Sequence, residues 1–277
     1  MCILVDEGDN YTGSETKLSC HNGEGLRHRA FSVLIFDNIG RLLIQKRSEH
    51  KITFPGVWAN SCCSHPLDTD SEREAGQGAI NAAKRKMTQE LGISSEESNS
   101  WDFHHMGRME YSCRWDDEWI EREIDHILIV SAEPQVSHNE NEISDVIWAD
   151  SDTIEQMMTG TGKWADEIIA PWFRRIWEHF ARPNNCDPNE MLNSVRDEIV
   201  YCGEIGLDGE SIRPGQNLLD ALSGHRERVE VEIMESLGKM QQKNLHGAMT
   251  HLFKGGGKRL RAILPRLVGE AIGNPNE

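Results

Sequence analysis

Residues 119–131, Trp-Ile-Glu-Arg-Glu-Ile-Asp-His-Ile-Leu-Ile-Val-Ser, set the tightest limit on the fold. The run is rich in β-branched residues and reads as a strand. Period-two alternation puts Glu121 and Glu123 on one face with Asp125, Ile127 and Ile129, the two glutamates about 7 Å apart along the strand. Ile120, Arg122, Ile124, His126, Leu128 and Val130 share the other face. If the glutamates faced water, that second face would have to supply the core, and it is apolar enough only beyond Ile124. A solvated face and a functional pair are both open from alternation alone.

The neighbouring pattern extends this strand into a sheet. Residues 106–115 form a second strand, joined to the first through Asp116-Asp117-Glu118. The apolar run 30–36, the turn Asp37-Asn38-Ile39-Gly40 and the run 41–46 predict a β-hairpin. Residues 57–63, after Pro55-Gly56, are expected to be extended, as are 146–149. A helix is predicted over 71–91, with Ser71 as cap and Glu74 in capping-box position. Its stripe of Ala75, Ala79, Ala82, Ala83, Met87 and Leu91 is small enough to lie close to a sheet, and Gly92 ends it. Further helices are expected over 152–158, 165–180 and 189–202. Residues 203–215 hold four glycines and a proline, which marks a linker, and helical periodicity returns from 217 onward. The fold class is α/β (α+β): a mixed sheet flanked by helices, followed by an all-α segment. The expected domains are 1–182, a linker over 183–215, and an incomplete helical piece over 216–277.

With a formal net charge of −17 over 277 residues, the chain lacks the basic face a nucleic-acid partner needs. No run of about 18 apolar residues is present, so no membrane span is expected. The first residues lack a basic, apolar leader. Seven cysteines without framework spacing fit reduced thiols, and a cytoplasmic location is expected.

Chemistry-bearing residues cluster by local pattern. His21 and His28, His65 in Asn60-Ser61-Cys62-Cys63-Ser64-His65-Pro66, and the pair Glu121 and Glu123 form one candidate metal set. Imidazole with carboxylate suits a divalent transition ion. Taken singly, each histidine is as well read as a surface or packed residue. Cys63 is a candidate acid or base, since a neighbouring cation lowers a thiol pKa; the plain alternative is a small buried hydrophobe. Alternation sends Cys62 and Cys63 to opposite faces, so only one shares a site with His65.

The helix end Arg85-Lys86-Met87-Thr88-Gln89-Glu90-Leu91-Gly92-Ile93 resembles the Nudix box, but Lys86 and Gln89 stand where acidic residues are usual and Glu90 alone remains. That departure argues against the hydrolase chemistry of the Nudix family and for a relative with the same fold. Residues 15–180 are similar to type I isopentenyl-diphosphate Δ-isomerases. The likeness is carried by 17–28, 41–47, the string Phe54-Pro55-Gly56-Val57-Trp58-Ala59-Asn60-Ser61-Cys62-Cys63-Ser64-His65-Pro66, Gln89-Glu90-Leu91-Gly92, Tyr111, Glu121-Arg122-Glu123 and Ala170-Pro171-Trp172.

The resemblance implies roles. His21, His28, His65, Glu121 and Glu123 would bind a divalent ion, manganese or zinc, and Glu90 would help hold Mg2+ against the diphosphate. Cys63 would be one proton-transfer residue and Glu123, assisted by Tyr111, the other. Lys17, Arg47, Lys51 and Lys86 would contact the diphosphate of a small-molecule substrate, and Trp172 would cover the hydrocarbon. Residues 216–277 resemble the start of a trans-type polyprenyl diphosphate synthase. There Gly255-Gly256-Gly257-Lys258-Arg259-Leu260-Arg261-Ala262 would grip a diphosphate through Lys258 and Arg261, with Ala262 in place of the usual proline. The aspartate-rich motifs of that family are absent, so a truncated fusion, coupled in function to a synthase, is expected. The rival functions are a nucleoside-diphosphate hydrolase and a non-catalytic module regulating a prenyl synthase.

Overall fold

The computed structural model describes residues 1–212. In chain order the elements are β1 (Cys2–Val5), β2 (Tyr11–Glu15), α1 (Lys17–His21), β3 (His28–Phe36), β4 (Leu42–Arg47), β5 (Trp58–Ala59), β6 (Cys62–Ser64), α2 (Gln77–Leu91), α3 (Ser95–Asn99), β7 (His104–Arg114), β8 (Ile120–Ser131), β9 (Ile143–Ala149), α4 (Ser151–Thr159), α5 (Pro171–Ile176), α6 (Pro188–Leu192) and β10 (Ile199–Ile205).

All nine residues of β3 are buried. A strand covered on both faces needs no polar side, which explains its nearly unbroken apolar sequence. β8 runs parallel to it along one edge, from His28 beside Glu123 to Phe36 beside Ser131. The other edge is shared by three strands in turn: β1 at His28, β6 from Phe31 to Val33, and β4 at Phe36. The expected hairpin therefore closes on a single rung. β4 swings away to pair with β9 and β5, because β6 has filled the edge it would have used. β7 pairs antiparallel with β8 over nearly its whole length.

Each face of the sheet has its own core. On one, Phe31, Val33, Ile35, Cys62, Leu128 and Val130 pack against Ala79, Ala82, Ala83, Met87 and Leu91 of α2. The small alanines let the helix axis approach, and each large side chain such as Met87 contributes roughly 1.5–3 kcal/mol by burial. On the other, Leu34, Phe36, Ile127 and Ile129 pack against Trp172, Phe173 and Ile176 of α5.

The helix predicted over 71–91 begins only at Gln77, with Gly76 as an N-cap that makes no side-chain bond. The stretch 71–76 instead folds back under the helix. A Cβ on Gly78 would lie 2.2 Å from the carbonyl oxygen of Glu72, so only glycine permits the approach. The C-terminal stop is as expected: Gly92 is left-handed at φ 70° and its N–H reaches the Met87 carbonyl. The single helix predicted over 165–180 is also broken up. A 3₁₀ turn spans Gly162–Trp164, Ile169 bridges Trp58, and α5 starts at Pro171. Proline supplies no N–H and keeps Ala170 extended, which fixes the start.

Residues 183–212 are not a linker. Of the helix predicted over 189–202, only α6 forms. β10 then pairs parallel with β7 from Ile199 beside Arg108 to Ile205 beside Cys113. Met191 and Ile205 are fully buried, and the compact unit runs from Met1 to Ile212. Residues 213–277, with the expected helical piece over 216–277 and with Lys258 and Arg261, lie outside the described residues.

Candidate active site and metal centre

Register assembles the site on one face of the sheet. His28 of β3 lies beside Glu123 of β8, and Glu123 lies opposite Tyr111 of β7, so three strands contribute one row. Ser32, two pleats up β3, pairs with Cys63 of β6. Cys63 and Glu123 thus rise from strands on either side of β3 toward the same face. Cys62, beside Val33, points the other way into the α2 core. His65 follows Cys63 by one pleat and meets the row at Glu123, while α1 brings His21 in from the side.

His21, His28, His65, Glu121 and Glu123 each offer one ligand atom, all within 4.8 Å of one another. His65 Nε2 is 2.6 Å and His28 Nε2 is 3.6 Å from Glu123 Oε1; His21 Nε2 is 2.9 Å from Glu121 Oε2. The backbone orients the rings: Nδ1 of His21 is 2.7 Å from the Lys17 carbonyl, and Nδ1 of His28 is 2.7 Å from the Leu26 carbonyl. A carbonyl accepts only from N–H, so each Nδ1 carries a proton and each Nε2 is the ring nitrogen turned inward. Nε2 of His21 and of His28 and Oε2 of Glu121 are buried and lack hydrogen-bond partners. Three inward imidazole nitrogens with two carboxylates and orphaned ligand atoms fit a divalent ion, which would satisfy the groups the protein leaves bare.

Electrostatics divides these groups. Burial disfavours charge on His21, but the Glu121 carboxylate beside it raises its pKa to about 9. His65 is driven well below its ordinary value, first by burial and then by His28 and His21. Burial opposes ionisation of Glu123, yet the hydrogen bond and charge of His28 and the Tyr111 hydroxyl hold it below the usual carboxylate range. That hydroxyl donates to Glu123 Oε2 at 2.6 Å. Thr53 Oγ1 donates to Glu121 Oε1 at 3.0 Å. Cys63 is pushed up to about 12 by burial, against the pull of Arg47, and rests as the thiol.

A single cavity is lined by Lys17, Arg47, Lys51, Cys63, His65, Lys86, Glu90, Tyr111, Glu121, Glu123 and Trp172. Every catalytic and substrate-binding residue expected within 1–212 is among them. Lys86 Nζ lies 2.8 Å from Glu90 Oε1, and Lys51 donates to Glu142. Arg47 donates to the Phe54 and Thr53 carbonyls at 2.9 and 2.8 Å and stands 5.5 Å over the Trp172 ring. Those bonds hold Phe54 at φ 50°, a conformation costing about 1–3 kcal/mol in a non-glycine residue. The strain aims the Phe54 ring edge-on at Trp172, 5.1 Å between centroids.

Several participants escaped the sequence reading. Thr53 and Glu142 carry no local motif. Ser32 donates to Asp125 Oδ2 at 2.8 Å, and Asp125, raised well above its ordinary value by burial and then by Glu123, is a buried carboxyl two residues along β8 from Glu123. Its parity with Glu121 and Glu123 was the available signal. Arg85 grips Glu72 at 2.7 and 2.9 Å and the His65 carbonyl at 3.2 Å, while Glu72 accepts the Leu67 N–H at 2.8 Å. These contacts tie α2 to the segment carrying Cys63 and His65.

The NUDIX domain family matches residues 26–173. Isopentenyl-diphosphate Delta-isomerase I of Camptotheca acuminata is 40% identical over 187 residues, which cover 65% of this chain and 80% of that protein. Isopentenyl-diphosphate Delta-isomerase 1 of Bos taurus is 41% identical over 186 residues, 65% of this chain and 82% of that protein. A chloroplastic isopentenyl-diphosphate Delta-isomerase 1 of Cannabis sativa is 40% identical over 187 residues, 65% of each. Among the described residues no helix is long and apolar enough to cross a membrane.

Proposed function

The chain belongs to the Nudix family and, within it, to the isopentenyl-diphosphate Δ-isomerases, and from that premise we propose how its own residues move the double bond. The enzyme interconverts isopentenyl and dimethylallyl diphosphate. The observation that supports the assignment of roles is that Cys63, Glu123 and Tyr111 line one cavity together with four cations.

Lys17, Arg47, Lys51 and Lys86 hold the diphosphate at one end of that cavity. The isoprenyl chain then lies between Cys63 and the Glu123–Tyr111 pair. An alkene is a weak base, so adding a proton at one carbon creates a costly tertiary cation, and removing a proton from another relieves it. Cys63 rests protonated and Glu123 ionised, so in one direction the thiol gives a proton and the carboxylate takes one; the return direction exchanges the roles. Trp172 offers its ring to the cation, worth about 2 kcal/mol or more when desolvated. The buried setting keeps water from trapping the cation as an alcohol. Bound divalent ions, Mg2+ with Glu90 and manganese or zinc at the three-His, two-Glu set, would supply charge that steadies the diphosphate and sets the proton affinity of Glu123.

Two finer readings accompany this one. All seven cysteines are free, which fits a reducing, cytoplasmic setting; a folded protein isolated with cysteine pairs joined would contradict it. Coupling to a polyprenyl diphosphate synthase through Lys258 and Arg261 predicts a second isopentenyl diphosphate site per chain, and a stoichiometry of one would sink it.

The test is product analysis with the full chain, isopentenyl diphosphate and divalent ions. Dimethylallyl diphosphate without released phosphate is expected, with loss of product in Cys63→Ala and in Glu123→Gln. Release of phosphate with no isomer, or release of a nucleoside monophosphate when a nucleoside diphosphate is supplied instead, would overturn the assignment in favour of a hydrolase. Isomer formation undiminished in both variants would overturn the assigned roles.

A further inference from the structure

The cavity holding Cys63 and Glu123 has a volume of about 90 Å³. Behind the same cations lies a second cavity of about 410 Å³, a size that falls within the roughly 300–1,000 Å³ of small-molecule sites. Lys17, Arg47 and Lys51 line both. On its outer side the larger cavity is walled by Leu18 of α1, by Ile52 in the loop after β4, and by Trp119 just before β8. Leu18 is 62% and Ile52 67% exposed. Single exposed aliphatic residues are ordinary. Here two of them, with a half-buried indole, line one cavity together with three cations and one carboxylate, Glu142, which is itself engaged by Lys51.

Cations and bare hydrocarbon lining one cavity suit an amphiphilic anion. We propose that this outer cavity binds isoprenoid diphosphates of ten or more carbons, the diphosphate on Lys17, Arg47 and Lys51 and the chain laid outward over Leu18, Ile52 and Trp119. The diphosphate of such a compound takes the same three cations as the substrate's, while its chain lies in the larger cavity. One diphosphate excludes the other, and the longer compound is a competitive inhibitor that is not itself isomerised. The inference rests on the proposed role of those three cations in substrate binding.

The experiment is calorimetric binding to the full chain of geranyl diphosphate, inorganic diphosphate and isopentenyl diphosphate, paired with inhibition kinetics. Geranyl diphosphate is expected to bind about tenfold or more tighter than inorganic diphosphate, through its added apolar contact. It should also compete with isopentenyl diphosphate. The double variant Leu18→Ser with Ile52→Ser is expected to remove most of that advantage and to leave isopentenyl diphosphate binding as it was, which also reports correct folding. Geranyl diphosphate binding no tighter than inorganic diphosphate, binding alongside isopentenyl diphosphate, or binding unchanged in the double variant would each overturn the proposal. An inactive wild-type chain that still binds geranyl diphosphate in this pattern would instead count against the catalytic reading alone.

Discussion

Replacing Tyr111 by Phe removes one oxygen from the middle of the site and leaves the ring in its core. The lost contact is the 2.6 Å bond to Glu123 Oε2, made where tyrosine is 2% and glutamate 6% exposed. A hydrogen bond to a charged group is worth about 1.5–3 kcal/mol. Were it needed in full at the transition state, kcat would fall about ten- to 150-fold at 1.36 kcal/mol per factor of ten. The hydroxyl bonds to none of the four cations, so KM should hold within about twofold. Tyr111 is also one of the groups that keep Glu123 ionised, after His28. Without it the Glu123 pKa rises toward the usual carboxylate range, so the acid limb of the kcat profile moves to higher pH. Steady-state kinetics from pH 3 to 9 measure both effects. A kcat within about threefold of wild type, with an unmoved acid limb, would refute the pairing of Tyr111 with Glu123 as a working unit.

Metal loading should compete with a proton. The metal-free chain keeps His21 protonated up to about pH 9, so binding a divalent ion must expel that proton and apparent affinity should rise as pH increases toward 9. Proton release on titrating zinc into weakly buffered protein at pH 7 checks this, and no release contradicts it. Asp9 bonds Arg29 at 2.7 Å and His126 at 2.9 Å; burial opposes its ionisation, but His126 and Arg29 hold it below the ordinary carboxylate value. A depressed pKa gives stability that is present above about pH 4 and lost as pH falls through the folded value. Asp9→Asn, which keeps the left-handed φ of 68°, should cost about 3 kcal/mol at pH 7 and flatten the acid arm of the urea-midpoint profile; an acid arm like the wild type's would contradict it. Gly78→Ala should lower the unfolding free energy by about 1–3 kcal/mol, read as a lower urea midpoint, because the new methyl meets the Glu72 carbonyl at 2.2 Å; an unchanged midpoint would mean that 71–76 does not pack under α2.

What the sequence disclosed depended on how local the physics was. The strands over 106–115 and 119–131 and the Gly92 stop were legible because alternation and αL capping are properties of adjacent residues. The parity of Glu121 and Glu123 left two readings open; the pairing of β8 with β3, which sets His28 beside Glu123, is what turns that face inward. The hairpin kept only one rung because strand edges are contested by segments far along the chain, and β6 took the edge of β3. Ser71 and Glu74 carried a capping pattern, but Gly76 and Gly78 allowed the chain to fold under α2 instead, with Glu72 turned inward to Arg85. β10 was hidden among glycines because its partner β7 lies some ninety residues away. Contacts such as Thr53 with Glu121 and Ser32 with Asp125 have no spacing rule at all.

Isotope exchange reaches the central claim most directly, that Cys63 and the Glu123–Tyr111 pair pass protons to and from one olefin. Isopentenyl diphosphate is incubated with the full chain in heavy water, with and without chelator, and both diphosphates are recovered for mass and NMR analysis. The account predicts deuterium in the methyl group of dimethylallyl diphosphate and, through the return reaction, at C2 of recovered isopentenyl diphosphate. Both labels should vanish in Cys63→Ala, in Glu123→Gln and on chelation. Isomer formed without deuterium, or label retained in either variant, would contradict it.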